Sequence, residues 1–515
     1  MKKYALSVSR SENFSAWYQA IVREADLAEL SPVRGCMVIK PWGYGIWELL
    51  QRQLDDRIKA FGFENCYFPL FIPMSFFEKE AQHVEGFAKE MAVVTHHRLA
   101  NIGGKLQIDP EAVLEDPLIV RPTSETIIGD SFQRWIKSYR DLPVRINQWA
   151  NVVRWEMRTR MFLRTTEFLW QEGHSAHETG PEAYESTKLA LGLYKNFVEA
   201  VLAIPTLAGE KPEHERFPGA VSTLSVEAMM QDGKALQAGT SHYLGTHFSR
   251  AQNVQFQGRT GEQHYCHTSS WGASTRLIGG LIMTHGDDDG LRCPPAVAPH
   301  QVVLVPMLRG KAQDEDILEY CNLIAGRLRM ANYFGSPVRV KVDTGLENSA
   351  EKRWTWIRRG APVICEIGSR DNSAKTVSFI RRDRLRTNDR IIINSADIED
   401  FVSGAESILR DIQDNLLQEA ADRLYSMTRS DIKDYTGLSQ YYGQGGDDEQ
   451  FHQVKGWARC SWSKPTGVRL TAVENQLKAL RLTIRNAPLD QPEVFEPCVF
   501  TGLPGVEEII IGRAY

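Results

Sequence analysis

The segment 147–174, NQWANVVRWEMRTRMFLRTTEFLWQEGH, combines charged and aromatic side chains at a spacing that suits ligand binding. Side chains alternate across a β-strand, so a first strand would place four residues on one face: Ala150, Val152, Arg154 and Glu156. A second strand would place six together: Arg164, Thr166, Phe168, Trp170, Glu172 and His174. The arginine-rich segment between the strands predicts a β-hairpin. The alternative is an antiparallel pair with a solvated polar face.

Two other segments place polar groups beside predicted strands or helices. In PLIVRPTSETIIGDSF, residues 117–132, an apolar strand leads to Thr123, Ser124 and Glu125 at a helix start. These side chains would either bind a ligand or cap the helix and favour its dipole. In QAGTSH, residues 237–242, glycine before Thr240 would let the backbone approach a ligand, while His242 has the alternative of a buried core histidine.

The hairpin resembles motif 2 of the class II aminoacyl-tRNA synthetases, and TEFLWQEGH is similar to prolyl-tRNA synthetases of the archaeal and eukaryotic type. GFENCYFPLFIP, residues 62–73, resembles motif 1, which supports the dimer interface of that family. SWGASTRLIGGLIMTHGDDDGLRCPP, residues 270–295, resembles motif 3. The resemblance is dense from Pro32 to Pro295 and thin after Asp371. It implies a homodimer.

The resemblance implies an enzyme that activates L-proline with ATP and Mg²⁺ and then transfers it to proline tRNA. A carboxylate attacks the α-phosphate without a general base, so catalysis is mostly positioning and charge stabilisation. A guanidinium binds both groups in a bidentate manner, which makes Arg154 and Arg276 the catalytic candidates. The residues expected to contact ATP are Arg154, Trp155, Glu156, Arg164, Thr165, Phe168, Gln237, Thr240, Ser274 and Arg276.

The amino-acid pocket is also implied by the resemblance. Glu125 would hold the secondary amine of proline and Thr123 would orient it. Proline offers few hydrogen bonds, so an apolar wall has to select it by shape. The residues expected to contact proline are Thr123, Glu125, Arg154, Trp170, Glu172, His174 and His242. Glu172 and His174 have the alternative role of a structural ion pair.

Composition limits the class of protein. A net charge of −5 argues against a protein that coats nucleic acid unspecifically. Eight scattered cysteines indicate reduced thiols in a cytoplasmic protein and not a disulfide framework. No stretch is apolar and long enough to span a bilayer, so we expect no membrane partner.

Three domains are predicted along the chain. Residues 1–299 should form an α+β catalytic domain on an antiparallel sheet, the class II synthetase fold. Residues 300–403 show a βαβ pattern that resembles the α/β anticodon-binding domain of the family. Residues 404–515 should form a small α+β C-terminal domain with a degenerate zinc site.

For RNA, the segment 352–390 is basic and contains Trp354 and Trp356, a pattern that suits unstacked bases and phosphates. A solvated charged face is the alternative. By resemblance, Glu366 and Arg370 are the tRNA-binding candidates. The family's usual TPGxKF-like element is replaced by ENSAEKRW, which leaves room for a paralogue with a non-tRNA acceptor or a non-catalytic RNA-binding regulator.

No metal site and no structural zinc are expected. Relatives commonly carry four cysteines in two close pairs in the C-terminal domain, and this chain keeps at most one of each pair, Cys460 and Cys498. Thr501 stands where a second ligand would lie. Two thiolates without a nearby histidine are too few for a closed tetrahedral site.

Overall fold

A computed structural model describes residues 5–78, 91–310, 313–443 and 455–515. The helices of the first region are α1 Phe14–Glu24, α2 Pro41–Ala60, α3 Met74–Glu78, α4 Glu125–Trp135, α5 Gly180–Leu202, α6 His247–Ala251 and α7 Arg276–His285. Its strands are β1 Ala28–Leu30, β2 Met37–Ile39, β3 Glu64–Asn65, β4 Phe71–Pro73, β5 Val93–His96, β6 Leu99–Ile102, β7 Lys105–Ile108, β8 Val113–Val120, β9 Val144–Val153, β10 Glu167–His177, β11 Thr206–Glu210, β12 Ser222–Met229, β13 Ala235–Gly245, β14 Gln255–Gln257, β15 Gln263–Tyr265 and β16 His267–Ser274.

In the part of the chain that the structure describes, the middle region contains a five-stranded sheet, two separate pairs of short strands and four helices. Its strands are β17 Val302–Pro306, β18 Asn332–Tyr333, β19 Ser336–Pro337, β20 Val340–Val342, β21 Val363–Ile367, β22 Thr376–Arg381, β23 Arg386–Thr387, β24 Arg390–Ile391 and β25 Asn394–Asp397. Its helices are α8 Gln313–Leu328, α9 Ser349–Arg359, α10 Ser369–Ala374 and α11 Ile398–Ser426. The sheet order is β20-β17-β21-β22-β25, with β17 parallel to both neighbours and β22 antiparallel. The predicted α/β pattern is confirmed, with an antiparallel edge added.

The last region contains β26 Thr428–Arg429, β27 Trp457–Trp462, β28 Thr483–Pro488 and β29 Glu507–Gly512, with helices α12 Tyr435–Tyr442 and α13 Gly467–Ala479. These strands continue the catalytic sheet. The order in the described residues is β26-β27-β29-β28-β11-β12-β13-β16-β10-β9-β3. The predicted antiparallel α+β fold is therefore confirmed, whereas the boundaries after residues 299 and 403 stay predictions.

The sheet separates a core side from a cavity side because its side chains alternate. On the core side, a Cβ added to Gly173 would lie 2.1 Å from the Trp271 ring, so this close contact needs glycine. Helix α5 packs on the same side, where the Tyr194 hydroxyl donates to the Gln171 side chain. Trp170, Glu172 and His174 consequently point to the other face.

Candidate active site

The predicted hairpin is confirmed, but both strands stop short of its tip compared with the pattern. Strands β9 and β10 are antiparallel, with Phe168 opposite Val152 and Glu172 opposite Gln148. Strand β9 ends at Val153, so Arg154 and Glu156 lie in the connection and not on the strand face. Arg164 and Thr166 likewise precede β10. Pairing persists locally, because the Arg154 amide donates to the Thr166 carbonyl at 2.8 Å.

Most of the predicted site residues meet in one cavity of about 310 Å³. The predicted residues that line it are Thr123, Glu125, Arg154, Phe168, Trp170, Glu172, His174, Gln237, Thr240, His242, Ser274 and Arg276. A neighbouring cavity of about 260 Å³ is lined by Glu156, Arg164 and Thr165 and shares Arg154, Phe168, Ser274 and Arg276 with the first. Trp155 lines neither cavity and is 51% exposed. Its predicted contact with the nucleotide is thus the one that the geometry favours least.

Arg154 lies where the two cavities join. Its Nε donates to the Pro122 carbonyl at 2.9 Å, and its guanidinium lies 5.6 Å from the Phe168 ring centre and 5.5 Å from that of Trp170. Such cation–π contacts hold a guanidinium in place. Burial lowers the pKa of Arg154, while the carboxylates of Glu125 and Glu172 oppose this shift. The fixed cation can face ligands on both sides.

Arg276 adds positive charge to the same space. It is the first residue of α7, and its amide donates to the Ser274 hydroxyl at 3.2 Å. Burial lowers the pKa of Arg276 to about 10, and the nearby charges of Arg154 and Arg164 contribute. The glycines that follow permit close packing, since a Cβ on Gly279 would lie 2.4 Å from Leu163. Cations that repel one another in this way favour an anionic ligand such as a triphosphate.

The side chain of Ser124 does not cap helix α4, which was the alternative role predicted for residues 123–125. Ser124 occupies the N-cap of α4, yet its side chain forms no capping hydrogen bond. Instead, the Ser124 hydroxyl donates to Glu172 Oε1 at 2.6 Å. The Thr123 hydroxyl donates to the Glu125 carboxylate. Thr123 and Glu125 line the cavity, so an oriented carboxylate faces the space where a cationic amine would lie.

Glu172 and His174 form the buried ion pair that was one of their two alternatives, and they also line the cavity. His174 Nε2 lies 2.9 Å from Glu172 Oε2, and Gln148 Nε2 donates to Oε1 at 2.8 Å. Burial raises the pKa of Glu172, but its hydrogen bonds and the charge of His174 outweigh burial and lower it. Burial lowers the pKa of His174, and the Glu172 carboxylate outweighs that effect and raises it. The pair gives the cavity a rigid polar edge.

His242 is held neutral and packs on an aromatic ring. Its Nδ1 lies 3.1 Å from the Thr223 hydroxyl, and its ring centre lies 4.5 Å from that of Phe217. Burial and the charge of His174 lower the pKa of His242 to about 3. Because it lines the cavity, His242 is buried and ligand-facing at the same time.

The glycine before Thr240 lines the cavity, which keeps the predicted approach of its backbone to a ligand possible. It is also needed for packing, because a Cβ on Gly239 would lie 2.8 Å from the ring of Tyr194 on α5. Gln237 and Thr240 line the same cavity.

Sequence reasoning missed the segment between β11 and β12, which closes one side of the cavity. This segment contributes five lining residues, Lys211, Glu215, Arg216, Phe217 and Pro218, and the second residue of β12, Thr223, also lines the cavity. The signal was the alternation of charges in EKPEHERFPG before a single aromatic residue. Phe217 is fixed by its amide, which donates to the Thr223 hydroxyl at 3.0 Å.

The basic segment 352–390 is mostly engaged inside the protein, which corrects the interpretation as an open RNA-binding face. Six of its arginines form ion pairs: Arg353 with Glu366, Arg359 with Asp26, Arg381 and Arg384 with Asp383, Arg382 with Asp287, and Arg386 with Asp289. Trp356 is buried and its Nε1 donates to Asp343 at 2.7 Å, so this ring cannot stack on a base. Glu366 is engaged by Arg353, whereas Arg370 is exposed.

Two hydroxyl groups lie beside Cys498, one of the cysteines kept from the zinc-binding pattern of relatives. The Ser463 and Thr501 hydroxyls lie 3.0 Å apart. Burial raises the pKa of Cys498, but hydrogen bonds from these two side chains and from the backbone outweigh burial and lower it. Among the described residues, no group of three or more His, Cys, Asp or Glu side chains is arranged to hold a metal ion. A metal-free C-terminal region stays a prediction.

No helix within the described ranges is both long and apolar enough to cross a membrane.

Comparisons with known proteins agree with this site. The model of the tRNA synthetase class II core domain (G, H, P, S and T) matches residues 109–285, and that of an anticodon binding domain matches 301–404. The proline–tRNA ligase of Sphingopyxis alaskensis is 58% identical over 100% of this chain and 96% of its own length. That of Sphingomonas elodea is 57% identical, with 100% of both chains covered.

A solved structure gives the same result. The prolyl-tRNA synthetase of Cryptosporidium parvum in complex with L-proline and AMP matches with a TM-score of 0.86 and 32% identity, over 99% of this chain and 97% of that one. The most similar of the curated relatives compared are bacterial, so the predicted archaeal and eukaryotic type is not borne out. The chain belongs to the prolyl-tRNA synthetases of class II.

Proposed function

We propose that this chain activates L-proline with ATP to prolyl-adenylate and transfers the prolyl group to proline tRNA. The observation that carries the proposal is the convergence of three features in one cavity: the arginines Arg154 and Arg276, the oriented carboxylate of Glu125, and a shaped end walled by Trp170 and His242. Each feature suits one part of the two substrates.

Arg154 is proposed to bridge the proline carboxylate and the α-phosphate of ATP. It lies at the junction of the two cavities, and bidentate guanidinium contacts fit both groups. Arg276 would hold the far phosphates, and Phe168 would stack on the adenine. In-line attack then needs alignment and charge stabilisation only, because the carboxylate is already a nucleophile.

The opposite end of the cavity suits the proline ring. The Glu125 carboxylate would accept a hydrogen bond from the charged secondary amine of proline. The Thr123 hydroxyl donates to this carboxylate and holds it in place. Trp170, His242 and Phe217 provide ring and aromatic surfaces, and a neutral His242 avoids placing charge against an apolar ligand. The ion pair Glu172–His174 fixes the shape of this end.

Magnesium is proposed to arrive with ATP. Mg²⁺ is usually bound through one or two carboxylates together with substrate phosphates, and not by an all-protein cage. Glu156 and Gln237 each offer oxygen atoms to one of the cavities, which fits such an ion. When bound, the ion would neutralise phosphate charge. Glu156 and Gln237 would hold its outer coordination.

The proposed dimer is supported by apolar side chains near the predicted motif 1. Strands β4, β5 and β8 form a small sheet, and the exposed apolar residues on or near it include Tyr67, Phe71, Val93 and Val113. Exposed apolar surface of this kind commonly marks a protein interface. A cytoplasmic location is proposed as well, because the eight cysteines are all free thiols.

The experiment that tests the function is amino-acid-dependent ATP–pyrophosphate exchange, followed by aminoacylation of proline tRNA. Exchange with proline and formation of prolyl-tRNA are expected. Exchange without transfer to tRNA would favour a ligase with another acceptor. No exchange with any amino acid would favour a non-catalytic role.

A further inference from the structure

The C-terminal strand β28 is built into the catalytic sheet beside the cavity. It pairs with β11, with Gly209 opposite Pro488 and Glu210 opposite Ala487. A Cβ on Gly209 would lie 2.2 Å from the Ala487 carbonyl oxygen, so the close approach of the two strands requires glycine here. The C-terminal region is thus fixed against the strands that form the cavity wall.

Two buried side chains of β28, Arg485 and Asn486, reach beyond the neighbouring strand β11 and contact β12. Asn486 Nδ2 donates to the Leu207 carbonyl at 3.3 Å and to the Ser225 hydroxyl at 3.3 Å. Arg485 Nη2 and Nε donate to Glu227 Oε2 at 2.8 and 3.1 Å. Both side chains are almost fully buried. A buried ion pair is expensive to form, so its presence at this position calls for a reason.

Glu227 links Arg485 to the wall of the cavity. Lys211 Nζ lies 3.0 Å from Glu227 Oε1, and Lys211 lines the cavity. Glu227 on β12 is also the cross-strand partner of Gln237 on β13, one of the ATP candidates. The charges of the same cluster act on Arg276, because Arg485 contributes to its lowered pKa and Glu227 opposes that shift.

The charges of the cluster determine what the cavity presents to a ligand. Two cations, Lys211 and Arg485, flank the Glu227 carboxylate, and the carboxyl group of Glu215, which also lines the cavity, interacts with both cations. In a buried environment each charge is weakly screened, so Arg485 adds one positive charge to the potential that phosphates would meet. Without Arg485, Glu227 would offset the charge of Lys211 alone. The wall would then be less positive by one charge.

We propose that Arg485 is a positioning residue for amino-acid activation: it holds Glu227 from the far side, so that Glu227 offsets less of the positive charge that the wall presents to the phosphates of ATP. The inference rests on the proposed function for the identity of the nucleotide. It assigns the C-terminal region a part in the first step of the reaction, some 270 residues along the chain from Lys211.

The test compares Arg485→Gln with Arg459→Gln in pyrophosphate exchange. Arg459 also lies in the C-terminal region, where it pairs with Glu508, and it lines neither cavity. For Arg485→Gln we expect the KM for ATP to rise about tenfold, with the KM for proline changed less than about twofold. Arg485→Lys should recover most of the loss, and Arg459→Gln should match the wild type. Equal KM values for ATP in Arg485→Gln and Arg459→Gln would overturn the proposal.

A double variant separates charge from folding. Glu227→Gln with Arg485→Gln removes one charge of each sign and leaves Lys211 in place, so the net charge of the wild-type wall is restored. Its KM for ATP should return close to that of the wild type, and a KM as high as in the single variant would overturn the proposal. If Arg485→Gln alone does not fold, the KM for ATP of the double variant compared with the wild type still tests the proposal. ATP binding by calorimetry, measured without proline, gives this comparison even if proline-dependent exchange is absent in the wild type and the proposed function fails.

Discussion

The activation cavity and the basic segment 352–390 look alike as sequences and differ as structures. Both interleave arginines with aromatic residues. Around the cavity, Arg154 and Arg276 face a space large enough for a ligand. In the basic segment, Arg382 and Arg386 face aspartates of the catalytic region instead. A run of charges predicts that an anionic partner exists, but it does not tell whether that partner is a ligand or another part of the chain.

The difference arises from where the carboxylates lie. HGDDDG, residues 285–290, follows α7, and its aspartates take bidentate contacts from the middle region: Arg382 donates to Asp287 at 2.5 and 2.7 Å, and Arg386 to Asp289 at 2.8 and 2.9 Å. These contacts join the predicted anticodon-binding domain to the end of the helix that begins with Arg276. Two arginines of the basic segment thus fix the position of two regions relative to each other.

The largest effect is expected at the cavity. Arg154→Ala should lose about 4 kcal/mol of transition-state stabilisation, roughly a thousandfold in exchange rate, because it removes the guanidinium proposed to bridge carboxylate and phosphate. The fold should survive, as judged by circular dichroism and melting temperature. Arg158→Ala, in the same connection but outside both cavities, is the matched control. Near-normal exchange by Arg154→Ala would remove it from its proposed role.

The next effect is on stability. Arg382→Ala should lower the free energy of unfolding by about 3 kcal/mol, because it removes the bidentate partner of Asp287 at a buried position. Arg384→Ala removes an exposed arginine next to it and should change stability by less than about 0.5 kcal/mol. Urea unfolding measures both. Equal midpoints for the two variants would mean that the interface pair does not stabilise the protein.

A third effect concerns the proline end of the cavity. Glu125→Gln keeps the shape of the side chain and removes its charge, so the KM for proline should rise by about tenfold or more while the KM for ATP stays close to normal. Steady-state exchange with each substrate varied in turn provides the measurement. A rise in the KM for ATP alone would move Glu125 from the amino-acid site to the nucleotide site.

A smaller effect is expected at the surface that remains for RNA. Arg370 is exposed at the start of α10, so Arg370→Ala should weaken tRNA binding and lower the slope of log affinity against log salt by about one. Exchange should be unaffected. Arg410→Ala, an exposed arginine paired with Glu406 on α11, serves as control. An unchanged salt slope for Arg370→Ala would show that the tRNA lies elsewhere.

No effect on folding is predicted for the removal of zinc. With Ser463 and Thr501 beside Cys498, the C-terminal region should stay folded in a chelator, and purified protein should contain no zinc. Apolar packing around Trp462, Ile509 and Ile511 is expected to take the place of a metal. A melting temperature that falls on chelation, or stoichiometric zinc in elemental analysis, would contradict this.

The sequence pattern was sufficient to predict side-chain positions where residues close in sequence lie on one strand or at its end. The two-residue spacing placed Trp170, Glu172 and His174 on one face, and the strand-to-helix transition placed Thr123 and Glu125 at the cavity. Pattern failed where contacts come from distant residues. Nothing near Gly239 shows that the ring of Tyr194 presses on it, and nothing near Arg485 shows a carboxylate 258 positions away.

Strand ends were also beyond the pattern. Alternation continues through Arg154 and Glu156 in the sequence, yet β9 ends at Val153 because the chain turns there into the hairpin connection. As a result, Arg154 packs between two aromatic rings and Trp155 faces solvent. A strand that ends three residues early changes which side chains can reach a ligand.

The most direct test of the account is pyrophosphate exchange by the full chain with each amino acid in turn and no tRNA present. The cavity, with its carboxylate for an amine and its arginines for phosphates, predicts exchange that depends on proline and ATP and is lost in Arg154→Ala. Exchange that is absent, that is stronger with another amino acid, or that survives in Arg154→Ala would contradict it.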